Sequence, residues 1–393
     1  MRAARAQATR PRDRRARDQP AAASIAGPLA AAVLAALKPD AAHAALVSPD
    51  LAMPRTPEVA LRRSVPVVNP VLKDALAALE EAQYLFRIPQ RKPFGAMAAK
   101  SASVRETLSD GGGALNGCPA DRRDKCAELL AGLDAQLASL TDALASRTID
   151  RADVALYNAL ELVSDLATEE APGLPFDVPA RYRDMPRLGG RAKARLTVRP
   201  SPGAKSVTLD LTLDGYGSPL TAGRMLWRMQ RGEFDRVSLK RTSVALTATA
   251  AKAAVAPPPA VAEGDAPPES DPPSSRASLP PLPLEILVRG EFEPRYKSTI
   301  DVQEGDVPGL PLSVYGALAV PRSTENPSYS DDASFFVYLF DPQDAGLGGA
   351  SFDEGQYSVF GYVTGGADEI RNFQEAVIER VEVLEGKDKL IVP

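Results

Sequence analysis

The chain has 393 residues, 44% of them apolar and 25% charged, which is enough for two or three domains with real cores. Its formal charge is −5, with no basic stripe, so nucleic acid is an unfavourable partner. A single histidine excludes His-dependent triads and His-ligated zinc.

The first elements in chain order are address signals. Residues 1–17 are Arg-rich with few acids and precede an Ala-rich apolar run, Ala21–Leu37, that is poor in the leucine a retained anchor needs. Ala42-His43-Ala44 has the small-x-small form of a processing site, so cleavage is expected after Ala44, and the only histidine lies within the site. A basic, acid-poor segment ahead of a secretory core reads as a bipartite address, into a plastid and then across the thylakoid membrane. The pair Arg14-Arg15 points to the twin-arginine route, and a bacterial-type export signal has the same mechanics. Removing residues 1–44 moves the net charge to about −10.

From Val59 to Glu170 the spacing predicts helices, within a bundle domain set at 45–190. Asn69-Pro70 supplies an N-cap with Pro at N1, after which Val71, Leu72, Ala75, Leu76 and Leu79 recur at helical spacing. Leu129, Leu130, Leu133, Leu137, Leu140 and Leu144 form a stripe with one buried face. Asp150 is placed as the cap of a helix carrying Leu156, Leu160, Val163 and Leu166, which Pro172-Gly173 ends. Phe94–Leu108 is a weaker fourth helix, joined to its predecessor through the extended basic connector Arg87–Pro93. Cys118 and Cys126 lie eight apart; a disulfide in an oxidising lumen and two separate thiols, Cys126 packed inside a helix, are both open.

After Pro186 the period changes to two. Val207, Leu209, Leu211 and Leu213 alternate with polar residues, and Asp214–Pro219 makes a turn into a helix over Thr221–Arg231. Further strands are expected at Ser238–Ala248, Leu284–Arg289, Val314–Val320, Ser334–Phe340, Tyr357–Val363 and Ile378–Leu384, with a short helix near Asp368–Gln374. The stretch 251–283 interrupts them with clustered prolines, acids and serines, too few large apolar groups to offset its ordering entropy, and is expected to be a disordered insertion. The fold class that results is α+β: an N-terminal antiparallel helical bundle, then a closed antiparallel β-barrel at 191–393 capped by two helices.

The order of strand, Asp-Gly-Tyr turn, helix, Phe234-Asp235 and Arg241 resembles the start of a cyclophilin domain, and Phe335-Phe336-Val337 with Val359-Phe360-Gly361 is similar to its second half. Arg87-Ile88-Pro89-Gln90-Arg91-Lys92-Pro93, Leu312–Gly316 and Gly346–Gln356 resemble the two-domain cyclophilins of the thylakoid lumen, over roughly Arg55 to the C-terminus less the insertion. The resemblance implies a peptidyl-prolyl cis-trans isomerase that assists folding or the assembly of photosynthetic complexes, with no cofactor. It implies as partners the proline-containing segments of lumenal or thylakoid membrane proteins, with peripheral membrane association and the bundle packed on its own barrel. A non-catalytic peptide-binding chaperone or scaffold is the alternative.

An X-Pro amide rotates slowly, over a barrier of roughly 18–20 kcal/mol, because its C–N bond is partly double. A guanidinium that hydrogen-bonds the prolyl nitrogen as conjugation is lost, with an apolar pocket on the ring, stabilises chiefly the twisted state. The resemblance places Arg241 in the first role and Phe336 on the pocket wall, with Phe335 turned to the core. It assigns substrate contacts to Leu246, Thr249, Ser334, Phe352, Tyr357 and Arg322, none of which is the residue type the family carries there. Both orienting glutamines are replaced, by Thr249 and Ser334, so activity is expected to be low.

Overall fold

In the computed structural model, residues 53–87, 92–109, 113–250, 279–344 and 349–393 are described. The expected targeting segment 1–44, residues 88–91 of the basic connector and residues 251–278 of the expected insertion lie outside them. The stretch Pro49–Pro393 forms one compact unit.

The helices start where the chain supplies caps. α1 (Pro57–Ser64) and α2 (Pro70–Phe86) both begin on proline, behind Thr56 and Asn69, whose side-chain oxygens accept from Val59 N and Val71 N. α2, α3 (Phe94–Ser109), α4 (Arg123–Ala145) and α5 (Ile149–Glu170) then bury one face each. Leu72 and Leu79, Met97, Leu133, Leu137 and Leu140, and Leu156 and Leu160 meet in one core. Thr148, and not Asp150, is the cap of α5: Asp150 falls inside the first turn, where its charge faces the positive end of the helix dipole. Cys118 and Cys126 are joined by a disulfide that ties the loop before α4 to its first turn, and Cys126 is fully buried in the bundle core.

β2 (Arg191–Arg199), β3 (Val207–Asp214), β4 (Val237–Arg241), β5 (Ala245–Thr249), β8 (Ala317–Val320), β9 (Ser334–Tyr338), β10 (Ser358–Gly365) and β11 (Val377–Glu385) close an antiparallel barrel in the order β10-β3-β2-β11-β4-β5-β9-β8. Two small pairs stand outside it, β1 (Arg187–Leu188) with β12 (Leu390–Ile391) and β6 (Glu285–Ile286) with β7 (Arg295–Tyr296). Inward side chains alternate along each strand, and α6 (Pro219–Gln230) plugs the barrel with Leu220, Met225, Leu226 and Met229. The expected second helix is a 3₁₀ segment, Ala367–Asn372. The expected strand Ser238–Ala248 breaks at Thr242-Ser243-Val244 into β4 and β5, a hairpin whose turn is closed by Thr242 Oγ1 accepting from Ala245 N. The expected insertion ends early: Leu282 is buried in the barrel core and its carbonyl accepts from Ser330 N, while Pro283 bridges Tyr329.

Bundle and barrel meet through α1. Arg191, at the start of β2, donates to Asp214 (3.0 Å), to Ser64 Oγ (3.0 Å) and to the Leu61 carbonyl, and reaches Thr168 of α5 (3.4 Å). Ala60 and Leu61 of α1 share a buried apolar cluster with residues on the outer face of the barrel, among them Leu312, Val314, Phe336, Tyr338 and Tyr362. Among the described residues no helix is long and apolar enough to cross a membrane.

Candidate active site

The register of β5 and β9 decides which side chains share a face. Thr249 opposes Ser334, Ala248 opposes Phe335, Thr247 opposes Phe336 and Leu246 opposes Val337. Phe335 turns inward and meets Phe234 and Phe360 edge-on, with ring centroids 4.9 and 6.3 Å away. Phe336 turns outward, 7% exposed, edge-on to Tyr357 at 5.3 Å and to Tyr338 at 6.3 Å. The pair Phe336–Tyr357 is thus the centre of an aromatic patch on the outside of the barrel.

The outer face gathers several of the expected contacts. Ser334 Oγ donates to Thr249 Oγ1 at 3.1 Å, a short polar pair two residues from Phe336. Arg322 is held half-buried by the Pro327 carbonyl (3.0 Å) and by Gln356 Oε1 (3.3 Å), close enough to Tyr357 for its charge to act on the hydroxyl. Burial pushes the Tyr357 hydroxyl above its ordinary value, as does Asp353, while Arg322 opposes them. Phe352 projects into solvent, 82% exposed, so in this conformation it does not wall the patch. Leu246 lies in the barrel core at 1% exposure and faces away from the patch, because alternation sets it on the side of Phe335 and Val337.

Arg241 stands at the end of β4, opposite Leu246, and is exposed at the rim of the barrel. The structure does not set it on the face of Phe336; alternation puts Lys240, which pairs with Thr247, on that side. Its Nη1 donates to the carbonyls of Ile370 (2.9 Å) and Phe373 (3.2 Å), at the end of the 3₁₀ segment. Two fixed backbone acceptors therefore orient the guanidinium, a task the sequence left without a side chain.

Two buried carboxylates that sequence reasoning passed over shape this region. Glu354 accepts from Leu312 N and Ser313 N, both at 2.7 Å, and from Ser313 Oγ, and so fixes the loop that carries Leu312 and Val314 into the outer cluster. Burial holds its carboxyl above the usual range. Glu285 accepts from Leu220 N (3.2 Å) and from Thr221 N and Oγ1 (both 2.8 Å), capping α6 from a distant strand. Its carboxyl, with no exposure, is pushed up to about 7 by burial against those hydrogen bonds. The only signal for Glu285 was a lone acid in an apolar run, and Glu354, next to Asp353 in a Gly-rich run, had none. Among the described residues no group of three or more His, Cys, Asp and Glu is arranged to hold a metal ion.

No family model matches the chain. Over 368 residues it is 35% identical to the chloroplastic peptidyl-prolyl cis-trans isomerase CYP37 of Arabidopsis thaliana, covering 90% of this chain and 74% of that one. It is 29% identical to a Synechocystis protein provisionally named a thylakoid lumen peptidyl-prolyl cis-trans isomerase, with 85% and 84% covered. Against the chloroplastic isomerase CYP38 of Arabidopsis thaliana it is 26% identical, with 86% and 76% covered.

Proposed function

This chain belongs to the cyclophilin-type peptidyl-prolyl cis-trans isomerases of the chloroplast thylakoid lumen, and from that premise we propose that it turns X-Pro bonds over the rim and outer face of its barrel. The observation that supports this reading is the outer face itself, where Phe336, Tyr357 and the Ser334–Thr249 pair come together; Arg241 is exposed at the rim, off that face, its guanidinium held by the Ile370 and Phe373 carbonyls. A guanidinium N–H that reaches the prolyl nitrogen from the rim would meet the lone pair released as the amide twists, while Phe336 and Tyr357 offer the prolyl ring their apolar faces. Position matters here because a misplacement of about 1 Å can cost a hundredfold in rate. The partners proposed are proline-containing segments of lumenal proteins and of thylakoid membrane proteins, met at the membrane surface in the second case.

A second reading, peptide binding without turnover, is favoured by one observation. Phe336 is only 7% exposed and shares its cluster with Ala60 and Leu61 of α1, so the patch that would grip a proline is mostly covered. Isomerisation of a prolyl test peptide by the wild type, Arg241→Ala, Arg322→Ala and Phe336→Ala separates the two. The expected outcome is a loss of about tenfold or more in kcat/KM for Arg241→Ala and Phe336→Ala, with Arg322→Ala changing mainly KM. Equal rates for wild type and Arg241→Ala would remove Arg241 from the chemistry, and peptide binding without measurable turnover would favour the binding protein.

A further inference from the structure

We propose that Tyr182 and Tyr296 form an oxidative modification site, at which a one-electron oxidant joins the two rings through a carbon–carbon bond. Tyr182 ends the 3₁₀ turn Ala180–Tyr182 between bundle and barrel, and Tyr296 lies on β7, far along the chain. Their ring centroids are 4.9 Å apart and the rings are tilted by 46°. Among the described residues no other two tyrosine rings are in contact. Both hydroxyls are buried, and that of Tyr182 has no hydrogen-bond partner, although a phenol this far inside a fold ordinarily has one.

The surroundings set the order of events. β6 and β7 place Glu285 directly opposite Tyr296, so the carboxyl and the phenol share one face of the strand pair. Burial pushes the Tyr296 hydroxyl up, and Glu285, Glu293 and Tyr182 act in the same direction. Negative charge beside a ring eases the loss of an electron, and Glu285 is placed to take the proton. Tyr182 instead lies under the Arg181 guanidinium, 4.9 Å from its centroid, a cation that opposes oxidation there. Tyr296, half-buried, is therefore oxidised first: one electron goes to the oxidant and the hydroxyl proton to Glu285. A second equivalent of oxidant takes an electron from Tyr182, whose hydroxyl proton passes to solvent. The two radicals pair at ring carbons next to the oxygens, and the hydrogens on those carbons move to the oxygens and restore both phenols. Two electrons and two protons leave, and one bond forms. Disulfides persist in oxidising compartments, and the chain carries one at Cys118–Cys126. That bond ties the bundle; the ring bond ties the entrance of the barrel to β7.

The test exposes the full chain to photo-activated tris(bipyridine)ruthenium with persulfate, a one-electron oxidant, and maps the digested monomer fraction by mass spectrometry and fluorescence. A linked Tyr182–Tyr296 peptide pair, lighter by two hydrogen atoms and carrying dityrosine emission, is expected in the wild type and in neither Tyr182→Phe nor Tyr296→Phe. In Glu285→Gln, which cannot accept the proton, the pair is expected to form about tenfold more slowly. The linked chain is expected to unfold at higher denaturant than the unlinked chain, because the bond closes a long loop in the unfolded state. Oxidation of the exposed Tyr84 and Tyr157 without the linked pair overturns the proposal, and so does dityrosine confined to dimers. Equal rates in the wild type and Glu285→Gln overturn the role of Glu285 as proton acceptor.

Discussion

At the scale of single residues, Glu285 shows how a buried charge is tied to position. It is fully buried, caps the first turn of α6 through Leu220 N and Thr221, and has its carboxyl pushed up to about 7 from an ordinary value of 4.5. Below about 4.5 the folded and unfolded chains both hold this proton, and its contribution to stability is fully present. Between the two values the folded chain keeps a proton that the unfolded chain has released, so stability falls as pH rises and is lost through about 7. Denaturant unfolding at pH 5 and pH 8 is therefore expected to show a decline of about 2–3 kcal/mol in the wild type that is absent in Glu285→Gln. Such a residue is not legible in sequence, because the helix it caps lies 64 residues away. Arg241 was singled out by its distance from Phe234-Asp235, but that distance says nothing of its face or of the carbonyls that hold it, 129 and 132 residues off. Leu246 was misread because a resemblance fixes position along the chain and alternation fixes the face.

At the scale of elements, the bundle could be read from its leucine stripes, since helical periodicity is local. β2 was missed although Ala192, Ala194, Leu196 and Val198 alternate with Arg191, Lys193, Arg195 and Arg199. Alanine at two inward positions makes the apolar phase weak, and the strand is completed by pairs to Asp210, Glu379 and Glu385 on its neighbours. The disulfide is the one covalent staple in the bundle. It closes a loop of eight residues, worth about 2–3 kcal/mol in the chain-entropy account. Reduction, or Cys118→Ser with Cys126→Ala, is expected to lower the unfolding free energy by about that amount in chemical denaturation. The rate on a prolyl peptide should stay the same, because neither cysteine lies near β5, β9 or β10.

At the scale of the whole molecule, bundle and barrel were foreseen as separate stretches of chain, and composition gave no sign of what joins them. Arg191 and Asp214 do so, with Asp214 fully buried and Arg191 reaching Leu61 and Ser64 of α1, 130 and 127 residues away. Removing the arginine leaves a buried carboxylate unpaired, so Arg191→Ala is expected to cost about 3 kcal/mol and to raise hydrogen exchange across Pro57–Ser64. Because α1 contributes Ala60 and Leu61 to the cluster of Phe336, the same substitution is expected to uncover the aromatic patch and lower KM for added peptide. Isomerase activity of this barrel is measured by NMR exchange between the cis and trans forms of a prolyl peptide with the wild-type chain present at about a hundredth of the peptide concentration. Exchange far faster than the uncatalysed tens to hundreds of seconds is expected, with a return toward that rate for Arg241→Ala. Exchange at the uncatalysed rate with the wild-type chain would contradict the isomerase reading.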